Sequence, residues 1–244
     1  MTARARSFGG AADAYDRLRP APVPEALRWL VPSPDATVLD LGAGTGLLTR
    51  ALAAEGVADV VAVEPDEAMR AVLAARSPGA PALAGSAEQV PLPDASVDAV
   101  LVASAWHWFD PERATAEIAR VLRPGGTLGL LWSFPDPAQE WVSQLRAIAH
   151  TDDAGKPGPT AGFEIALPAG APFSVGESEV FRASTWMAVD DVAGMLGTYS
   201  TVLTLPADER AEVRRRALAH VAHHVGTDPV LVPFATAAWR AIRT

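Results

Sequence analysis

The chain has 244 residues, 49% apolar and 20% charged, which supplies one sizeable buried core and excludes a disordered or fibrous chain. Twenty Lys and Arg against 29 Asp and Glu give a net charge of −9, which argues against nucleic acid and anionic membranes as partners. With no cysteine, disulfides, thiol nucleophiles and Cys-ligated zinc or iron–sulfur sites are excluded together.

Arg4 and Arg6 precede no apolar run, so the N-terminus does not read as a secretory signal. No stretch approaches the roughly 18 uncharged apolar residues of a membrane span. The expected location is the cytoplasm. Nothing in the sequence speaks to oligomeric state.

In chain order, Thr37–Leu41 is the first expected strand, ending at Gly42-Ala43-Gly44-Thr45-Gly46. Leu47, Leu48, Ala51 and Leu52 then recur at helical spacing. Asp59–Val63 is a second strand, ending at Glu64-Pro65-Asp66, and Asp66 can cap a helix carrying Met69, Val72 and Leu73. Pro81–Gly85 is a weaker third strand and Val97–Val102 a fourth. Pro111–Leu122 is helical, with Asp110 as its N-cap. Arg123–Gly126 reads as a turn, and Thr127–Trp132 as a fifth strand. Gln139–Ala149 is helical, and residues 151–174, rich in Pro and Gly, form a loop or lid. Val180–Val189 and Val230–Arg240 are two late apolar runs flanking a helix over about 206–225.

Apolar strands alternating with amphipathic helices imply a parallel sheet covered on both faces, an α/β doubly wound fold. In such folds ligands sit beyond the C-terminal strand ends, so glycines and carboxylates just after strands carry the reading. Asp40-x-Gly42-x-Gly44-x-Gly46 follows a strand and opens a helix. A nicotinamide site favours G-x-G-x-x-G; here the third glycine comes one residue early and an acid precedes the first. That acid suits a ligand carrying a cation. Glu64 ends the next strand, where a carboxylate accepts from both ribose hydroxyls of an adenosine.

Val38–Gly46, Val63-Glu64-Pro65-Asp66 with Met69, Gly85-Ser86-Ala87-Glu88 with Leu92-Pro93 and Ser96-Val97-Asp98, and Leu122–Gly126 together resemble the class I S-adenosylmethionine-dependent methyltransferases. The likeness covers residues from about 10 to 133 and points to the small-molecule branch. Tyr15–Pro20 resembles that branch's N-terminal segment, which folds over the cofactor. Trp106–Asp110 resembles the segment after strand four in enzymes similar to trans-aconitate methyltransferase.

The resemblance implies a seven-stranded, mostly parallel Rossmann-like sheet with an antiparallel last strand, the two late runs being its final pair. It implies S-adenosylmethionine as cofactor and a small-molecule acceptor. Gly42, Ala43, Gly44 and Gly46 would line its methionine and ribose. Asp40 would sit near the methionine amino group, and Glu64 would hold the ribose. Pro65, Asp66 and Met69 would flank the adenine. Ser86, Ala87 and Glu88 would face the adenine edge, Ala87 through its N–H. Many relatives carry an acid at the position of Ser86; serine is a neutral acceptor with shorter reach. Ser104 would lie under the methionine end, and Tyr15 would close the pocket. Residues 1–30 would form an arm over the cofactor, and 31–244 a single methyltransferase domain.

Methyl transfer from a sulfonium needs positioning and desolvation, and a base only if the acceptor must lose a proton. His107 is the candidate base, its alternative a pocket-wall histidine. Trp106, His107, Trp108 and Tyr199 are the expected acceptor wall. Few fixed cations are apparent there, which favours a largely apolar acceptor. His220, His223 and His224 share a helix, read as a solvated face rather than a metal site; no metal is expected. Arg214–Arg216 reads as an exposed ion-pair face. Two competitors stand beside the methyltransferase: a nicotinamide-dependent oxidoreductase, and a non-catalytic module that binds S-adenosylmethionine.

Overall fold

A computed structural model describes residues 12–149, 165–226 and 228–244. Among these, seven strands form one sheet in the order β3-β2-β1-β4-β5-β7-β6. They are β1 Thr37–Leu41, β2 Asp59–Val63, β3 Ala82–Leu83, β4 Val97–Ala103, β5 Leu122–Pro135, β6 Glu177–Met187 and β7 Val230–Ile242. β1 pairs in parallel with β2 and β4, β2 with β3, and β4 with β5. β7 inserts antiparallel between β5 and β6.

Side chains alternate across β1, which sets the two layers. Val38 faces Ala26, Leu27 and Leu30 of α2 (Pro24–Leu30) and Leu48 and Leu52 of α3 (Leu47–Ala54). Leu39 and Leu41 face Ala114, Ile118 and Val121 of α5 (Pro111–Val121). Asp40 therefore points to the α3 side. The helix α4 (Glu67–Arg76) follows β2 and is capped by Asp66, whose side chain accepts from the Met69 N–H at 3.0 Å. Asp110 caps α5 through the N–H groups of Glu112 and Arg113.

Four boundaries depart from the sequence reading. The third strand shrinks to two residues, because Gly85 is packed against Pro91 and Val63 and the chain turns back there. Arg123–Gly126 is not a separate turn: it lies inside β5 as a bulge, where five residues advance while β4 advances two. The late strand begins at Glu177 and ends at Met187, and Val189 opens α7 (Val189–Leu196), whose first turn carries Asp190 and Asp191. α1 (Ala12–Leu18) is a helix within the expected arm.

The helices α6 (Glu140–Ala149), α7, α8 (Ser200–Leu203) and α9 (Ala207–Val225) build a second apolar cluster with Leu18 of α1 and Phe234 of β7. Residues 151–164 of the expected loop lie outside the described residues. Ile165, Leu167 and Phe173 pack on the central core, and Phe173 bridges to Arg243.

Candidate active site

The strand order reverses between β1 and β4, so the loops leaving their C-terminal ends diverge and open a crevice. A cavity of about 340 Å³ lies there. Its walls include Gly42–Thr45 after β1, Glu64 after β2, and Ser104, His107, Trp108 and Phe109 after β4. Tyr15 and Arg19 close it from the N-terminal side, and Trp132, Phe134, Arg146 and Tyr199 from the side of the second cluster.

The glycine loop is shaped by need. Gly42 has φ +72°, and a Cβ there would stand 2.9 Å from the Cβ of Ala105. Gly44 also sits in the left-handed region, at φ +57°. Its N–H donates to Oε2 of Glu64 at 2.8 Å, and the Asp66 N–H donates to Oε1 at 2.8 Å. Glu64 is 5% exposed, and burial pushes its carboxyl upward against those two bonds. Each oxygen keeps a lone-pair direction for a further donor.

Asp40 is fully buried beneath this loop. Oδ2 accepts from the Thr49 hydroxyl at 2.6 Å, and Oδ1 has no partner among the described residues. Burial, opposed by Thr49 and aided by the charge of Glu64, pushes its pKa up to about 7. A buried carboxylate with a spare oxygen fits a nearby ligand cation.

Tyr15, Gly42, Ala43, Gly44, Glu64, Met69, Ser104, His107, Trp108 and Tyr199 line the one cavity. Ser104 holds a left-handed φ of +55°, an uncommon conformation for a non-glycine residue. Gly46 caps α3 from outside the wall. Pro65 and Asp66 sit at the mouth of α4 and do not line the cavity. Ser86 bridges to Gln89 in a tight turn, and its hydroxyl bonds to Glu88, whose carboxylate also takes the Asp110 N–H. Ala87 is buried in the core between them. Trp106 is a correction: it does not line the cavity; its ring meets that of Phe109 edge-on, 5.9 Å between centroids, and Phe109 lines the wall.

His107 is exposed, with its ring 4.3 Å from that of Trp108. Partial burial holds its pKa below the ordinary value, and no hydrogen bond orients it among the described residues. On α9, His220 Nε2 donates to the Trp141 carbonyl at 2.7 Å, and no three His, Asp or Glu cluster as a metal site among the described residues. Arg214 and Arg215 are ion-paired with Asp190 and Glu212.

Two features escaped the sequence reading. Asp16 of α1 is buried and bonds Arg50 of α3 and Arg76 of α4, tying α1 across the glycine loop. Burial pushes its carboxyl up, and the Arg50 and Arg76 donors overcome that and hold it below the usual range. A depressed folded pKa contributes stability above the unfolded value that fades as pH falls through it. Asp16→Ala is therefore expected to cost roughly 2–3 kcal/mol at neutral pH. That cost should shrink as pH drops below 3.8. Denaturation midpoints at pH 7 and pH 3.5 check this, and an equal loss at both would refute the ion-pair account.

The second feature is charge. Arg19 and Arg146 both line the cavity, against the expectation of few fixed cations. Arg19 lies over the rings of Tyr199 and Tyr15, at 4.2 and 5.1 Å, and Arg146 over Phe134 at 5.4 Å. Burial raises the Tyr199 phenol, and both guanidiniums oppose that rise. A signal existed: Arg19 follows Tyr15 by four residues, one helical turn.

Comparison with known proteins agrees with this geometry. The model of the methyltransferase domain matches residues 39–130. An uncharacterized methyltransferase of Mycobacterium tuberculosis is 42% identical, over 96% of this chain and 95% of its own. Another, from Schizosaccharomyces pombe, is 31% identical over 82% of this chain and 80% of its own. A solved structure from Anaeromyxobacter dehalogenans, provisionally named a type II methyltransferase, is 26% identical. It covers 92% of this chain and 97% of its own, with a TM-score of 0.65. The likeness to trans-aconitate methyltransferase is not carried by these relatives, and a nicotinamide enzyme is not favoured by them. Sequence, sheet order and cavity thus converge, and the chain belongs to the class I S-adenosylmethionine-dependent methyltransferases.

Proposed function

We propose that this enzyme transfers the methyl group of S-adenosylmethionine to a small-molecule acceptor entering beside Trp108, Trp132 and Tyr199. The observation that carries the reading is the single cavity joining the glycine loop and Glu64 to that aromatic wall. Bound there, the cofactor supplies a sulfonium-activated methyl group.

Glu64 accepts from the ribose hydroxyls with the lone pairs its backbone bonds leave open. Asp40, beneath the glycine loop, balances the methionine ammonium. Met69 packs on the adenine, Pro65 and Asp66 border it, and Ser86 and the Ala87 N–H face its edge. Glu88 positions that turn by holding Asp110. Ser104 bounds the methionine end. The cofactor's carboxylate needs a cation, and Arg19 offers one on the arm next to Tyr15. The arm and the aromatic wall exclude water from the sulfonium.

His107 forms part of the wall rather than the base, since its ring is exposed and unoriented. A general base contributes roughly 100-fold or more. His107→Ala is therefore expected to lower kcat by less than about tenfold. A loss beyond that, with a matching change in the pH profile, would restore the base. The reading as a whole is tested by calorimetry with S-adenosylmethionine, followed by S-adenosylhomocysteine release across a metabolite panel. Binding without turnover on any acceptor would favour a non-catalytic module.

A further inference from the structure

The cavity holds two guanidiniums, and the cofactor carries one carboxylate. The other arginines near the sheet are spent: Arg50 and Arg76 on Asp16, Arg182 on Asp136, Arg240 on Glu177. Among the described residues, neither Arg19 nor Arg146 has a carboxylate within ion-pair distance. They differ in what else they touch. Arg19 donates to the Thr198 carbonyl at 3.1 Å and is held between two rings, 4.2 Å from Tyr199 and 5.1 Å from Tyr15, four residues before it on the N-terminal segment. Arg146 donates to no acceptor among the described residues. It projects from α6 over the Phe134 ring, on the wall shared with Trp132 and Tyr199.

Arg146 is half-buried and lines the cavity, and none of its nitrogens is among the fully buried unpartnered atoms, so its donors stay open to a ligand in the cavity. An aromatic face steadies the cation without using its N–H groups, which leaves the planar fork free for an oxyanion. We infer that Arg146 is the acceptor's anchor, and that the acceptor is a largely apolar small molecule carrying an oxyanion. This rests on the cofactor reading above, which gives Arg19 to the cofactor's own carboxylate. It also reconciles the apolar wall with the charge: ring or chain lies along Trp108 and Trp132, and the anionic end meets Arg146.

The test uses matched probes on the full chain with S-adenosylhomocysteine present. These are 3-phenylpropionate and octanoate, their amides, and phenyl phosphate, with binding read by calorimetry. The parent is expected to bind at least one anion roughly tenfold or more tightly than its neutral counterpart. Arg146→Gln should erase that difference, and Arg146→Lys should keep part of it. Cofactor affinity should stay within about twofold in Arg146→Gln but fall about tenfold or more in Arg19→Gln. Preference for carboxylate over phosphate, or the reverse, identifies the oxyanion and supports the subsite. No anion preference in the parent, a preference surviving in Arg146→Gln, or an equal cofactor loss in both variants would overturn it. Failure of the parent to bind S-adenosylmethionine at all would instead overturn the cofactor reading, and the subsite with it.

Discussion

Replacing Glu64 by Gln is expected to weaken S-adenosylmethionine binding by roughly 2–4 kcal/mol, about 30- to 1000-fold, while the fold survives. The carboxylate sits between two backbone donors, Gly44 N–H and Asp66 N–H, each at 2.8 Å. An amide at this place keeps one acceptor oxygen and turns an NH2 group toward the other donor. One backbone N–H is then left facing a donor, and the loop that approaches the cofactor must shift. The ribose hydroxyls lose a charged acceptor at the same time. Against this, the neutral side chain is spared the burial that pushes the Glu64 carboxyl upward, so global stability changes less than affinity does. Calorimetric titration beside a thermal melt separates the two. Unchanged affinity in Glu64→Gln would remove Glu64 from the ribose site.

The same residue shows how far the sequence was legible. Its place after β2, twenty residues beyond Gly44, marked it as a ribose acceptor by motif spacing alone. Its bond to the Gly44 N–H was not legible, because that contact depends on β1 and β2 lying side by side with Leu41 opposite Val63. The central strands were readable because each is a short apolar run ended by glycine or an acid. The helices α7 and α8 were not, because they gain their stability from packing with Leu145, Val213 and Phe234 rather than from any strong local signal.

Charge in the cavity was the reading's main error, and its cause is physical. Arg19 and Arg146 are 127 positions apart, and neither belongs to a motif. Only the docking of the segment after α1 and of α6 around one cavity brings them together, Arg19 over Tyr15 and Tyr199 and Arg146 over Phe134. Trp106 failed for the opposite reason. A run of Trp-His-Trp-Phe in a 3-10 turn must point its rings in different directions, and sequence order does not say which rings line the cavity.

Asp40 carries the largest expected pH effect. Its folded pKa of about 7 stands above the ordinary 3.8, so folding takes up a proton. A raised pKa contributes stability that is full below the unfolded value and is lost as pH climbs to the folded one. Without ligand, Asp40 should therefore cost the chain roughly 4 kcal/mol between acid and neutral pH, at about 1.36 kcal/mol per unit. Asp40→Asn should remove that decline, because the amide oxygen can still take the Thr49 hydroxyl while nothing ionises. Cofactor binding should move the other way. A ligand cation favours the ionised carboxylate, so affinity in the parent rises as pH passes upward through about 7 and then levels. In Asp40→Asn the affinity should be lower and flat over the same range. Because the Glu64 charge helps to raise Asp40, Glu64→Gln should shift the parent's midpoint downward. Melts from about pH 4 to 8.5 read the stability decline, and titrations from about pH 5.5 to 8.5, about 1.5 units to either side of the expected midpoint, read the two affinity effects. A parent whose cofactor affinity tracks that of Asp40→Asn at every pH would show that the buried acid supports only the loop above it and not the charge on the ligand.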